Sequence, residues 1–200
     1  MTTIEIDPLS KELGDRFQAA GHELYLVGGV VRDLVMGRLG PDADFDFTTD
    51  ATPAQTSRVL RGWADAQYLV GVRFGTVGAR RHGRDVQITT FREERYPKDE
   101  RKPAVTFAKD IGTDLSRRDF TINAMAVRLP DGEFVDPFEG VKDLAAKRLD
   151  TPLKPEIAFS DDPLRMLRAA RFVAQLGVTP ARRAIEAIAR MCDRLGIVSA

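Results

Sequence analysis

Apolar and polar positions follow two rhythms along this chain, and the change between them predicts its organisation. Ser10 to Ala20, after Pro8, has the spacing of an amphipathic helix that Gly21 ends. Leu24-Tyr25-Leu26-Val27 is a continuous apolar run and predicts a strand, broken by Gly28-Gly29. Val30 to Val35 predicts a short helix reaching Gly37. Asp44-Phe45-Asp46-Phe47-Thr48 alternates strictly, so a strand there sets both aspartates on one face and both phenylalanines on the other. Thr52 and Pro53 open a predicted helix running to about Trp63. Gln67–Val70, Gly75–Ala79 and Asp85–Thr90 are apolar runs between glycine turns and predict antiparallel strands. Glu93 to Thr113 is charged, proline-bearing and without period, which predicts a mobile, functional loop. Phe134-Val135-Asp136 predicts a last short strand. From about Gly140 the spacing turns helical, over Val141–Lys147, Leu164–Leu176 and Ala181–Arg194.

These elements predict an α+β fold to about residue 150, with a mixed or antiparallel sheet flanked by helices. Residues 151–200 then start an all-helical region. Its helices are too few to close a second core, so the chain reads as a fragment of something longer. A hydrophobic fraction of 43% is ample for a core. Thirty basic and thirty acidic residues cancel, which leaves no global field to steer a polyanion. Any nucleic-acid surface must be local, and the candidates are Arg80-Arg81-His82-Gly83-Arg84, Arg117-Arg118 and the series Arg165, Arg168, Arg171. The single Cys192 excludes an internal disulfide and fits a reducing compartment. His22 and His82 make no zinc pattern. The N-terminus has no signal-peptide character, and no stretch approaches a membrane span, so the expected location is the cytoplasm.

Three clusters carry candidate chemistry. The first is Gly28-Gly29-Val30-Val31-Arg32-Asp33 with Asp44 and Asp46. Paired glycines let backbone amides approach an anion, and the helix start behind them favours negative charge. Two carboxylates side by side repel, an arrangement that makes sense around a cation; beside a phosphate-cradling turn they suit divalent-metal nucleotidyl transfer. The second is Asp114-Leu115-Ser116-Arg117-Arg118-Asp119-Phe120-Thr121-Ile122-Asn123. Here Arg117 and Arg118 can bind a triphosphate, Asp119 can accept a ribose hydroxyl, and Asn123 can hold either; the competing reading is a capped helix with surface arginines. The third is Asp161-Asp162-Pro163-Leu164-Arg165. Asp162 reads as a helix cap followed by proline at the first helical position. The functional alternative sets Asp162 and Arg165 side by side, three apart at a helix start. A carboxylate beside a guanidinium matches the amine and ring-nitrogen edges of cytosine and adenine, and rejects uracil and guanine.

GGVVRD…DFD, ITTFR (Ile88 to Arg92), DLSRRDFTINAMA, DPFEGVKDL (Asp136 to Leu144) and DDPLRMLRAARF stand in the order of one family. From about Leu24 to Phe172 the chain resembles the class II tRNA nucleotidyltransferases and bacterial poly(A) polymerases, of the polymerase β-like superfamily. The resemblance implies a catalytic head over residues 1–150 and a helical neck over 151–200. It implies that Asp44 and Asp46 hold two Mg2+ ions, that Gly28, Gly29 and Arg32 bind triphosphate, and that Arg118, Asp119 and Asn123 handle ribose and phosphate. Asp161, Asp162 and Arg165 match the motif that selects CTP and then ATP without a template; Asp33 and Arg168 join the nucleotide-binding set. The implied activity is addition of CCA to the tRNA 3′ end from CTP and ATP, with no membrane or protein partner evident. Alternatives are a poly(A) polymerase, a CC- or A-adding enzyme, or a nucleotide- or RNA-binding fragment without turnover. One departure concerns the metal site: Gln87 stands where the family often has glutamate, and Asp85, two residues back, is the candidate substitute. The other is length, since family members continue into helical regions beyond the neck.

Overall fold

The computed structural model describes residues 6–40, 43–69, 71–95 and 104–197. Helix α1 (Pro8–Ala19) starts earlier than its apolar spacing predicts because the Asp7 carboxylate accepts the Leu9 and Ser10 N–H groups at 3.1 and 3.4 Å. Strand β1 (Leu24–Val27) runs through the Gly28 turn into α2 (Gly29–Val35), and β2 (Phe45–Thr49) leads to α3 (Pro53–Val59). Thr52 and Gln55 form a reciprocal capping box at the start of α3. The helix stops well short of Trp63, because the chain turns through Gly62 at positive φ and Trp63 is driven into the core. Next come β3 (Ala66–Tyr68), β4 (Thr76–Arg81) and β5 (Arg84–Thr90). Val70, the last residue of the predicted run Gln67–Val70, lies outside the described residues.

The segment expected to be a loop is ordered at both ends. Its flanks pair as β6 (Arg92–Arg95) and β7 (Ala104–Phe107), and its tail forms α4 (Ile111–Ser116), capped by Asp110. Residues 96–103 lie outside the described set. Strand β8 (Ala126–Leu129), β9 (Phe134–Val135), α5 (Gly140–Ala145) and β10 (Arg148–Leu149) follow. The C-terminal part is α6 (Pro155–Asp161), α7 (Leu164–Leu176), β11 (Thr179–Pro180) and α8 (Arg182–Met191), ending in a 3-10 segment, Cys192–Ile197.

Among the described residues, seven strands form one sheet in the order β3-β4-β5-β2-β1-β8-β9. The β2–β5 pair is parallel and the others are antiparallel, so the sheet is mixed and the α+β expectation holds. Strand β1 is apolar throughout because both its faces are covered. Leu24 and Leu26 face a core of Leu13, Phe17, Phe47, Trp63 and Ile88, whereas Tyr25 and Val27 face Phe91, Leu115 and Ala126. A close approach of α1 to β8 requires glycine: a Cβ on Gly14 would lie 2.6 Å from Leu129 Cβ. The chain after residue 150 packs directly on the sheet domain. Phe120, Ile122, Leu149, Ala169, Phe172 and Val178 share one cluster, β10 pairs in parallel with β11, and the Thr121 N–H donates to the Asp150 carbonyl at 2.8 Å. No helix among the described residues is long and apolar enough to cross a membrane.

Candidate active site

The site grows from the end of β1. Gly28 has φ 79° and ψ −140°, a conformation that a residue with a Cβ resists, and it starts α2. A Cβ there would meet Arg118 Nη1 at 3.3 Å, and one on Gly29 would meet Arg32 Nη2 at 3.6 Å. The second distance is an ordinary contact, so it is the bare backbone of Gly28 that lets the Arg118 guanidinium close over the turn. Gly28→Ala should cost about 1–3 kcal/mol of stability through backbone strain and weaken nucleotide binding by displacing Arg118. Denaturant melts and CTP titration check this; an unchanged midpoint would show that the turn relaxes freely.

Strand β2 presents its polar face here. Phe45 and Phe47 are buried in the core, and Asp44 and Asp46 are solvent-accessible on the opposite side. The alternation describes Asp46, whereas Asp44 stands just before the strand, near enough for its charge to act on Asp46. Among the described residues neither carboxylate takes part in a hydrogen bond or ion pair with the protein. Solvent reaches Asp46, yet the surrounding cleft walls desolvate it and raise its pKa; Asp44 adds to the rise, and the Arg118 charge opposes it. In the parallel register Gln87 on β5 is the direct partner of Asp46. Asp85 is not a substitute for the missing carboxylate. It is held by Arg80, with Nε to Oδ1 at 2.8 Å, across the hairpin turn at His82-Gly83.

The donor set suits a small divalent cation in part. Among the described residues no group of three His, Cys, Asp or Glu converges. Mg2+ nevertheless needs only one or two protein carboxylates when substrate phosphates and water complete its shell, and Asp46, which lines the cleft with the Gly28-Gly29 turn and feels the Asp44 charge, meets that need.

Three further walls complete a cleft of about 950 Å³ that takes in Gly28, Gly29 and Asp46. Helix α4 ends at Ser116 and delivers Arg117 and Arg118, both paired with the buried Asp114. The competing reading of this motif as a capped helix with surface arginines is half right, for the cap exists but the arginines face the cleft. Behind them runs a chain of charges. Arg32 makes a bidentate contact to Asp33 at 2.9 and 3.0 Å and donates from Nη1 to Asn123 Oδ1 at 2.9 Å. Asn123 Nδ2 donates to Asp119 Oδ1 at 3.0 Å, and Arg168 Nε donates to Asp119 Oδ2 at 2.8 Å. The Phe172 ring lies between the two arginines, 5.6 Å from each guanidinium carbon. Asp33 is absent from the cleft wall and serves to hold Arg32; Asp119 spends both oxygens on protein donors.

The third wall is the start of α7. Asp162 Oδ1 accepts the Leu164 N–H at 3.0 Å, but the cap position expected of it falls on Pro163 and the helix proper begins at Leu164. Asp161 is the last residue of α6 and does not line the cleft. Asp162 and Arg165 do line it, and Arg165 is buried with Nη2 donating to the Arg117 carbonyl.

The arginines resolve which charged runs matter. Seven arginines (Arg32, Arg92, Arg117, Arg118, Arg165, Arg168, Arg171) line the cleft against three aspartates. Arg32 pairs with Asp33, Arg117 and Arg118 share Asp114, and Arg168 pairs with Asp119, so the cleft keeps an excess of arginines over the carboxylates that hold them. The run from Arg80 to Arg84 is instead neutralised, with Arg80 on Asp85, Arg81 on Glu12 and Asp65, and Arg84 on Asp7. Arg92, which stands in the ITTFR motif, and Phe74 and Thr76, which belong to no motif, also line the cleft.

A mixed sheet carrying a glycine turn, a carboxylate pair and an arginine-lined cleft at one strand end has the architecture of a nucleotidyltransferase head. The chain belongs to the Poly A polymerase head domain family, whose pattern matches residues 24–150. It is 44% identical over 172 residues to the CCA-adding enzyme of Lacticaseibacillus paracasei, covering 84% of this chain and 42% of that one. To the CCA-adding enzyme of Bacillus subtilis it is 44% identical over 181 residues, 90% of this chain and 44% of the relative. The chain therefore spans less than half the length of these curated relatives. Among solved structures, the Bacillus stearothermophilus CCA-adding enzyme in complex with CTP superposes with a TM-score of 0.81 at 34% identity, over 97% of this chain and 46% of that one. A tRNA nucleotidyltransferase complexed with a primer tRNA and an incoming ATP analog gives 0.72 at 28% identity, over 92% of this chain and 51% of that one.

Proposed function

We propose that this chain is the catalytic head, residues 1–150, and the start of the neck, residues 151–200, of a CCA-adding tRNA nucleotidyltransferase working in the cytoplasm. The observation that carries the reading is the cleft, in which Asp46, the Gly28-Gly29 turn and the Asp162–Arg165 pair share one wall system. The triphosphate of CTP or ATP lies on the turn under Arg32 and Arg118. Asp162 and Arg165 meet the base edge, accepting from its amine and donating to its ring nitrogen. The 3′-hydroxyl of the tRNA attacks the α-phosphate in line, and pyrophosphate leaves toward the arginines. Asp44 and Asp46 hold Mg2+, which when bound supplies charge stabilisation at the phosphates and a more acidic hydroxyl. Kinship with CCA-adding enzymes at 38–44% identity supports this choice over poly(A) addition.

Incubating the chain with tRNA lacking CCA, each NTP in turn and Mg2+ tests the reading. Ordered incorporation of two C and one A is expected; runs of A, C alone, A alone, or no product each point to another of the alternatives. The second reading, binding without turnover, is favoured by Gln87, which sets an amide beside Asp46 where a third carboxylate would strengthen cation binding. Gln87→Glu should tighten Mn2+ binding, read by electron paramagnetic resonance. In chelator it should also lower Tm, because like charges then face each other across β2 and β5. Unchanged Mn2+ affinity would take position 87 out of the cation site.

A further inference from the structure

Asp114 is fully withdrawn from solvent on α4. A buried carboxylate persists as an ion only where its charge is matched and its oxygens are hydrogen-bonded. Three groups do so. The Arg92 N–H donates to Oδ1 at 3.2 Å, Arg117 donates to the same oxygen from Nε and Nη2 at 3.1 and 2.9 Å, and Arg118 Nη2 donates to Oδ2 at 3.2 Å. Burial alone would raise its pKa, but the two guanidinium groups and these hydrogen bonds hold it below the usual carboxylate range.

The two arginines touch different parts of the cleft lining. Arg118 lies against the Gly28 turn. Arg117 contributes its backbone: its carbonyl accepts from the buried guanidinium of Arg165, 48 residues further along the chain. One carboxylate thus ties together the arginine at the phosphate turn and the anchor of the arginine at the base edge. We infer that Asp114 is a positioning residue that holds the triphosphate contact and the base-reading arginine as one rigid unit, so that a single buried charge sets nucleotide choice as well as affinity. The inference rests on the reading of the cleft as a CTP and ATP site.

The Asp114→Asn variant keeps the shape and one acceptor oxygen but removes the charge, leaving Arg117 and Arg118 to repel each other. CTP binding is expected to weaken about tenfold, the scale for hydrogen bonds to a charged group. The ratio of CTP to UTP affinity should fall by about three- to tenfold, because Arg165 loses a fixed anchor. Calorimetric titration of wild type and variant with CTP and UTP in Mg2+, alongside Tm, reads all three quantities. A variant with lower Tm but unchanged affinities, or one that loses CTP and UTP equally, overturns the inference by making Asp114 a structural or purely phosphate-side carboxylate. If Asp114→Asn does not fold, Arg117→Gln decides. It retains the backbone carbonyl and the Arg118–Asp114 pair, so the ratio should fall more than CTP affinity does; an unchanged ratio overturns the inference. A wild-type chain that binds neither nucleotide overturns the parent reading and this inference together, whereas a selective wild type with an unaltered variant overturns this inference alone.

Discussion

Replacing Asp46 with alanine is expected to reduce nucleotide transfer by at least about three orders of magnitude, the scale for losing a principal source of charge stabilisation, while the fold survives. The side chain stands on the cleft face of β2 and pairs with no donor among the described residues, so no packing depends on it. Its charge is costly to the folded state, because cleft walls and Asp44 raise its pKa from the ordinary 3.8. The linkage sign follows. A folded-state pKa above the unfolded one gives a stabilising contribution that is full below the unfolded value and lost as pH rises through the folded value. At neutral pH the wild type has lost that contribution, so the neutral Asp46→Asn variant should melt higher than wild type, with the gap narrowing on acidification. Protons also compete with a cation for Asp46, so transfer should fall as pH drops through the raised value. Thermal melts across pH and single-nucleotide incorporation check both halves. Retained transfer with an unchanged divalent-cation requirement would remove the Asp44–Asp46 assignment.

Much of this site was legible because the residues that build it are local in sequence. The Gly28 turn follows a run buried on both faces, and the Asp44–Asp46 alternation records one buried and one open face. Strand β8 and helix α6 were not legible. Ala126–Leu129 is a four-residue strand interrupted by the partly exposed Arg128, and Pro155–Asp161 makes barely two turns, so each is too short to display a period. Asp85 illustrates a signal that was present and unused. A two-residue turn at His82-Gly83, with φ of 51° and 77°, aligns Arg80 with Asp85 across the hairpin and leaves Gln87 beside Asp46. The saturation of Asp119 by Arg168 lay beyond sequence reasoning, since it joins residues 49 apart through the packing of α7 on the head. The same holds for Arg165 and the Arg117 carbonyl.

Arg165→Ala should relax base choice more than it weakens triphosphate binding. The guanidinium is anchored at one nitrogen by the Arg117 carbonyl and shares the cleft wall with Asp162, whereas Arg118 and Arg32 lie against the Gly28-Gly29 turn. A bidentate polar contact to a base edge contributes roughly 1–3 kcal/mol of discrimination, so the preference for CTP over UTP should fall by about one to two decades. On the proposed reading, discrimination against uracil would come from mismatch, its carbonyl set against the Asp162 carboxylate and its N–H against a group that only donates. Removing the arginine relieves the second conflict and leaves the first, so selectivity should shrink without reversing. Asp162→Ala should have a parallel effect with an added loss of about 1 kcal/mol of stability, because its Oδ1 accepts the Leu164 N–H at the start of α7. Incorporation of all four nucleotides by each variant, with Tm measured in parallel, separates the two contributions. If Arg165→Ala lowers every nucleotide equally and preserves the C-over-U ratio, the residue braces the Arg117 backbone and the base is read elsewhere in the cleft.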